Sequence, residues 1–141
     1  MRSIDQIVNY LLNLAHESDV RCQHASAIVE RKTGRIMVSA TNYHYHKPTR
    51  KNWTPIGNYT MHAEEAVFNK FKRNFPHLMR RAKRNYDLVV IRAQRGTNNC
   101  LHSKPCKKCT EKINKMIKRK IINRVYYSIP IKTDEKCIII P

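Results

Sequence analysis

Two short segments contain residue types that could hold a metal ion and move protons. One is His62-Ala63-Glu64, and the other is Cys106-Lys107-Lys108-Cys109. We predict that each segment begins a helix, so that the two cysteines, three residues apart, project from one face of a first helical turn. The positive end of a helix dipole stabilises thiolates, which are the form of cysteine that binds metal.

A donor set of one histidine and two cysteines predicts a catalytic rather than a structural zinc centre. Three protein ligands leave the fourth tetrahedral position open for water, whereas structural zinc sites use four protein ligands. We therefore predict that His62, Cys106 and Cys109 bind Zn²⁺. Glu64 lies two residues from the histidine and is the predicted catalytic proton carrier.

A rival interpretation places a closed zinc site within ten residues of the chain. Its four ligands would be Cys100, His102, Cys106 and Cys109, a Cys₃His set of the structural kind. It strains a very short loop and leaves His62-Ala63-Glu64 without a role. The open His/Cys/Cys set is the favoured prediction.

The periodicity of apolar residues predicts the elements that must position these segments. We expect helices over residues 3–16, from near His62 to Phe75, and over 105–119, the last beginning at Pro105. We expect strands over 24–30, 35–41, 86–94, 124–129 and 137–140, with a turn at 32–34 and a loop at 43–60.

The order of the elements predicts an α/β fold with a mixed sheet. Strands three and four are joined through a helix and should be parallel. Only residues 130–136 separate strands four and five, which is too short for a parallel crossover, so strand five should be antiparallel to strand four. The sequence therefore predicts a three-layer α/β/α sandwich with a five-stranded mixed sheet.

The combined motifs resemble those of the cytidine deaminase-like superfamily. Its zinc-binding pattern is H-x-E followed by P-C-x-x-C, and this chain has His62-Ala63-Glu64 and Pro105-Cys106-Lys107-Lys108-Cys109. The resemblance covers most of the chain, because His24–Val29, Ser103–Cys109 and Val125–Ser128 also look like parts of the family pattern. It implies that Glu64 takes a proton from zinc-bound water and delivers it to the ring nitrogen and leaving amine. It also implies that Asn42 contacts a sugar and that the Ala63 backbone contacts the base.

On this resemblance the predicted function is a zinc-dependent hydrolytic deaminase that acts on a cytosine-type nucleoside or nucleotide. One alternative is a deaminase of single-stranded DNA or RNA. In the resembled superfamily an antiparallel fifth strand is more typical of enzymes on free nucleosides. A second alternative is a basic nucleic-acid-binding or packaging protein that keeps the fold with a vestigial site. The resemblance also implies a homo-oligomer.

The charge of the chain indicates a polyanionic partner. The formal net charge is +18 over 141 residues, and residues 66–133 carry 19 basic and two acidic side chains. Such an excess favours nucleic acid, nucleotides or an anionic surface and disfavours a basic substrate. Two basic patches, Lys70–Arg84 and Lys104–Lys120, could bind nucleic acid. The spacing between His62 and Cys106 is longer than the resemblance leads us to expect, which predicts a basic insertion around 72–86.

The remaining features predict one domain in a reducing compartment. A chain of this length accommodates a single well-packed domain, which we place over 1–141. Five cysteines, an odd number, argue against a disulfide framework. The N-terminal segment does not read as a signal peptide and no stretch is long enough for a membrane span, so we expect an intracellular protein of cytoplasm or nucleus without a membrane partner.

Overall fold

The fold alternates helices with the strands of a central sheet. The computed structural model describes residues 3–45, 59–81, 83, 85–97, 99–129 and 138–140, with residues 45, 59 and 138–140 described by their backbone alone. The helices are α1 (Ile4–Ala15), α2 (Ala63–Asn74), α3 (Pro76–Arg80) and α4 (Lys107–Lys118). The strands are β1 (His24–Glu30), β2 (Ile36–Thr41), β3 (Tyr43–Tyr45), β4 (Tyr59–Met61), β5 (Tyr86–Ala93), β6 (Cys100–Leu101), β7 (Ile122–Ile129) and β8 (Ile138–Ile140).

The central sheet has the mixed topology predicted from the sequence. Its strand order is β2-β1-β5-β7-β8, and the two-residue strand β6 pairs with the end of β5. Strand β1 is antiparallel to both β2 and β5. Strand β5 is parallel to β7, and β8 is antiparallel to β7. The five predicted strands and both predicted pairings are therefore confirmed.

Alternation of side chains along the strands divides the core into two layers of apolar contacts. On one face of the sheet, Leu11 of α1 packs with Ala27 and Val89. On the other face, Phe71 of α2 packs with Leu88, and Ile113 of α4 belongs to the same cluster. Because successive strand residues point to opposite faces, α1 covers one side and α2 with α4 the other. This arrangement confirms the α/β/α sandwich.

The helix boundaries follow local capping chemistry. The Ser3 hydroxyl accepts from the Gln6 N–H while the Gln6 side chain accepts from the Ser3 N–H, so α1 begins with a capping box. Helix α4 begins two residues later than predicted. Pro105 lies outside it and Cys106 is its N-cap residue, with extended backbone (ψ 169°) and a sulfur that accepts from the Cys109 N–H.

The connection before α2 differs from the predicted loop at both ends. Residues 43–45 and 59–61 pair as the antiparallel strands β3 and β4, while 46–58 lie outside the described residues. The prediction of a loop over 43–60 is thus wrong at its two ends, because the pairing partners are distant in sequence and carry no alternation strong enough to indicate strands. Of the helices in the described residues, none has the length and apolar character needed to span a bilayer.

Candidate metal centre and its cavity

Three predicted metal ligands lie close together at the junction of α2 and α4. The His62 Nδ1 atom lies 3.2 Å from the Cys109 sulfur and 3.5 Å from the Cys106 sulfur. All three ligand atoms lie within 4.8 Å of one another. His62 is 44 positions from Cys106 and 47 from Cys109 in the chain, so the fold itself assembles this group.

These separations fit a tetrahedral zinc ion. Zinc binds histidine nitrogen and cysteine sulfur at about 2.0 and 2.3 Å, which places a nitrogen and a sulfur ligand about 3.5 Å apart at a tetrahedral angle. The two observed nitrogen–sulfur distances lie close to that value. The donor set and its spacing therefore suit zinc, with a fourth position left for a non-protein ligand.

Two helix N-termini converge on this group. His62 is the N-cap residue of α2 and Cys106 is the N-cap residue of α4. The unsatisfied N–H groups at each helix start give that end a partial positive charge, which favours anionic ligands such as thiolates.

Buried serines hold the two helix starts against the sheet. The Ser26 hydroxyl of β1 donates to the Ala63 carbonyl at 2.7 Å. Ahead of α4, the Ser103 hydroxyl donates to the Val90 carbonyl and accepts from the Ser128 N–H, both at 2.8 Å. The sheet thus fixes His62 through β1 and the cysteine segment through β5 and β7.

Glu64 is a buried carboxyl group beside the three ligands. It is 6% exposed, and burial raises its pKa above the ordinary value, against a smaller lowering effect of a backbone N–H and the Cys109 thiol. Burial, reinforced by the neighbouring Glu64 charge, also raises the pKa of the Cys109 thiol. A cation held by the three ligands would reverse both trends, because it favours the anionic forms.

The ligand group opens into a cavity of about 330 Å³. This volume lies in the range of small-molecule sites. His62, Ala63, Glu64 and Cys106 form one wall, and the rest of the lining includes Asn42, His24 and Lys104. Burial, and to a smaller degree the charges of Arg92 and His62, lower the His24 pKa, so this imidazole is neutral at neutral pH.

Asn42, the predicted sugar contact, bonds to the segment of residues 18–24, which contributes other lining residues of the cavity. Its Oδ1 atom accepts from the Ser18 hydroxyl at 2.7 Å and from the His24 N–H at 2.9 Å. Its Nδ2 atom donates to the Cys22 carbonyl at 2.6 Å. At 4% exposure this side chain bonds mainly to the protein. Its contact with a substrate stays a prediction.

The rival closed zinc site is not formed. Among the described residues, the metal-ligand group contains His62 with Cys106 and Cys109. Cys100 is disulfide-bonded and so has no thiolate to offer, and the exposed His102 ring contacts Tyr127.

The sequence did not reveal three residues that shape the cavity. Ser18 bonds to Asn42, 24 positions away in the chain, and His24 and Lys104 line the cavity, but no motif of the sequence indicates these roles. The one local indication of a site residue is the position of Lys104, which directly precedes the Pro-Cys-x-x-Cys segment. In the basic patches, Lys70 donates to the Ser39 carbonyl, and Arg84 lies outside the described residues.

Comparison with known proteins gives matches among solved structures. No protein-family model and no curated protein sequence matches the chain. The chain is similar to the apo form of a dCMP deaminase from the cyanophage S-TIM5, with a TM-score of 0.48 and 17% identity, over 89% of this chain and 84% of that chain. The complex of a dCMP deaminase from the same phage with dCMP and dUMP gives a TM-score of 0.49 and 17% identity, over 90% and 83% of the two chains.

The fold and the metal-ligand group can be compared with the expectations from the sequence resemblance. The fold brings the starts of α2 and α4 together, because the ligand atoms of His62, Cys106 and Cys109 lie within 4.8 Å of one another. The architecture and the group of His62, Cys106 and Cys109 agree with the resemblance to the cytidine deaminase-like superfamily.

Proposed function

We propose that the protein is a zinc-dependent hydrolytic deaminase that acts on a cytosine nucleotide. The observation that carries this proposal is the position of Glu64. A buried carboxyl group and a three-ligand metal group line the same cavity. A structural metal site needs no such carboxyl group, whereas hydrolytic deamination needs a group that moves protons.

A zinc ion at this site would supply a water nucleophile at neutral pH. The chain supplies the proton transfers: Glu64 would carry one proton of the water to the cytosine ring nitrogen and then carry the second proton of that water to the departing amine. The reaction consumes one water, converts cytosine to uracil and releases ammonia. The Ala63 backbone, whose carbonyl accepts from Ser26 at the start of α2, would contact the base, and Asn42 would contact the sugar.

Positive charge at the cavity supports a nucleotide over a nucleoside. Lys104 is exposed, and among the described residues that line the cavity it is the one with a permanent positive charge. The Arg92 guanidinium lies 3.3 Å from the sulfur of Cys22, another lining residue. A monophosphate would satisfy these cations. The preference for cytosine over adenine depends on the overall resemblance.

Metal analysis and a substrate panel test this proposal. We expect about one zinc per chain, lost in the Cys106→Ala variant. We expect ammonia release from dCMP or CMP to exceed release from deoxycytidine, cytidine, adenosine and single-stranded oligonucleotides. A protein without zinc, or one inactive on every substrate, would contradict the proposal and favour a vestigial site.

Two adjacent glutamates provide a matched pair of variants. The Glu64→Gln variant should keep its zinc but lose deamination by about 100- to 10,000-fold, the usual contribution of a general acid–base group. The Glu65→Gln variant should stay active, because Glu65 turns away toward α4, where it pairs with Lys112. Equal activity of the two variants would remove Glu64 from the mechanism.

A further inference from the structure

Helices α2 and α4 enclose a second concave surface, which shares no lining residue with the zinc cavity. This α2–α4 groove has a volume of about 350 Å³. Phe68 and Met116, each 4% exposed, lie at its base. Its rim carries five basic side chains and one acidic one, which are Lys72, Lys112, Lys115, Lys118, Arg119 and Glu65.

The groove combines residues from both basic stretches of the sequence. Lys72 comes from the end of α2, three cations come from α4, and Arg119 is the C-cap residue of α4. The two stretches meet because α2 and α4 cover the same face of the sheet. The fold therefore brings the two basic stretches together. A basic surface that served only solubility would not need the two stretches to converge.

Most of this charge is uncompensated. Glu65 pairs with Lys112 at 2.8 Å and with Lys108 at 3.5 Å. In the described part of the chain, no acidic group lies within ion-pair distance of the other four cations, which are Lys72, Lys115, Lys118 and Arg119. Lys115 repels Lys118 and Arg119, three and four residues further on, so the cluster costs stability when nothing neutralises it.

The layout of the cations fits a polymer of phosphates. Lys112 and Arg119 lie seven residues apart on α4, which corresponds to about 10 Å along the helix axis. Lys72 adds a cation from α2, the other helix of the groove. A single phosphate would need converging donors, whereas these side chains are spread along the helix.

A membrane surface fits this face less well. Binding to a bilayer needs apolar side chains that insert below the headgroups. The large hydrophobic residues exposed in the described part of the chain are Ile4, Tyr10 and Tyr43, on α1 and β3 rather than at the groove. A concave basic surface whose apolar base is covered suits a nucleic-acid strand that lies in the groove.

We propose that the α2–α4 groove binds the phosphate backbone of a single nucleic-acid strand without sequence preference. Neutralisation of about four phosphates predicts a slope of log affinity against log salt near −2.8. Raising the salt from 50 to 200 mM should then weaken binding about 50-fold. This site is separate from the zinc cavity and does not depend on the proposed deaminase activity.

Fluorescence anisotropy with a labelled 20-nucleotide oligo-dT tests the proposal on the full, zinc-loaded chain. The Lys115→Glu/Arg119→Glu variant should bind at least about tenfold more weakly, and its salt slope should fall by about 1.4 because two phosphate contacts are lost. The matched control is Lys32→Glu/Arg35→Glu, which makes the same change of net charge at two exposed residues of the β1–β2 hairpin. The control should change affinity less than threefold.

The milder variant Lys115→Gln/Arg119→Gln keeps the test valid if charge reversal disturbs folding, and it should also weaken binding by several-fold. Equal losses in the groove and control variants would overturn the proposal, because the effect would then be one of net charge. Absence of binding at 50 mM salt would overturn it as well. Displacement of oligo-dT by polyglutamate at equal charge concentration would favour an acidic protein partner instead. The Glu64→Gln variant should bind oligo-dT normally, so failure of the deaminase proposal and failure of this one are distinguishable.

Discussion

The Asn42→Ala substitution would separate the structural contribution of Asn42 from its predicted contact with substrate. The side chain bonds to three partners on the facing segment: the Ser18 hydroxyl, the His24 N–H and the Cys22 carbonyl. Alanine removes all three bonds at once. The variant should therefore lose folding stability whether or not Asn42 touches a sugar.

The magnitude follows from what happens to each partner. The Ser18 hydroxyl keeps the Asn42 backbone carbonyl as an acceptor at 2.7 Å. The Cys22 carbonyl belongs to an exposed residue and can bond to water. The half-buried His24 N–H loses its acceptor, and an unsatisfied donor of this kind costs about 1–3 kcal/mol. We expect a loss of about 2 kcal/mol in the free energy of unfolding.

Urea unfolding of the zinc-loaded protein, followed by circular dichroism, measures this loss. Asn13→Ala on the exposed side of α1 is the matched control and should stay within about 0.5 kcal/mol of the parent protein. Activity is then compared per folded molecule. A loss for Asn42→Ala below about 0.5 kcal/mol would refute the network argument and return Asn42 to the role of a substrate contact alone.

Two further predictions concern charge. Lys104→Ala should raise KM for dCMP about tenfold, which corresponds to the loss of one charge-assisted bond of about 1.4 kcal/mol, and should leave deoxycytidine turnover unchanged. The control Lys107→Ala should change neither value. Equal effects of Lys104→Ala on both substrates would contradict a role for Lys104 in phosphate binding. Burial disfavours the ionised form of Glu65, but the ion pairs with Lys112 and Lys108 outweigh it and lower the Glu65 pKa below its ordinary value of 4.5. This stabilisation is present above pH 4.5 and is lost as the pH falls through the lower pKa of the folded state. Glu65→Gln should lower the free energy of unfolding by at most about 1 kcal/mol at pH 7 and should leave it unchanged once Glu65 is protonated. Urea unfolding at several pH values measures this, and a difference between the variant and the parent protein that persisted at pH 2.5 would contradict the prediction.

The sequence predicted the central sheet and the metal group because their signals are local. Apolar runs mark β1 and β5, and the length of each connection decides whether the joined strands are parallel. His62, Cys106 and Cys109 lie at helix starts, where a short motif can indicate a metal site. Their meeting in space followed from the order of elements.

The features that the sequence did not reveal depend on contacts between distant segments. The bond from Ser18 to Asn42 joins residues 24 positions apart, and neither residue type indicates the other. The strands β3 and β4 pair across the undescribed residues 46–58, and their sequences show no strong alternation of apolar and polar residues that would predict strands. The meeting of Lys72 with the α4 cations required both helices to lie on one face of the sheet.

Helix α4 separates the two proposed activities along its own length. Its start supplies Cys106 and Cys109, whereas Lys115 and Arg119 lie toward its end. The rise from Cys109 to Arg119 is about 15 Å, and the Debye length in physiological salt is about 8 Å. Phosphates neutralised in the groove are therefore largely screened from a metal ion at the helix start. Because the same helix packs Ile113 into the core between these ends, its orientation is fixed for both sites, so either activity could be lost by substitution without loss of the other.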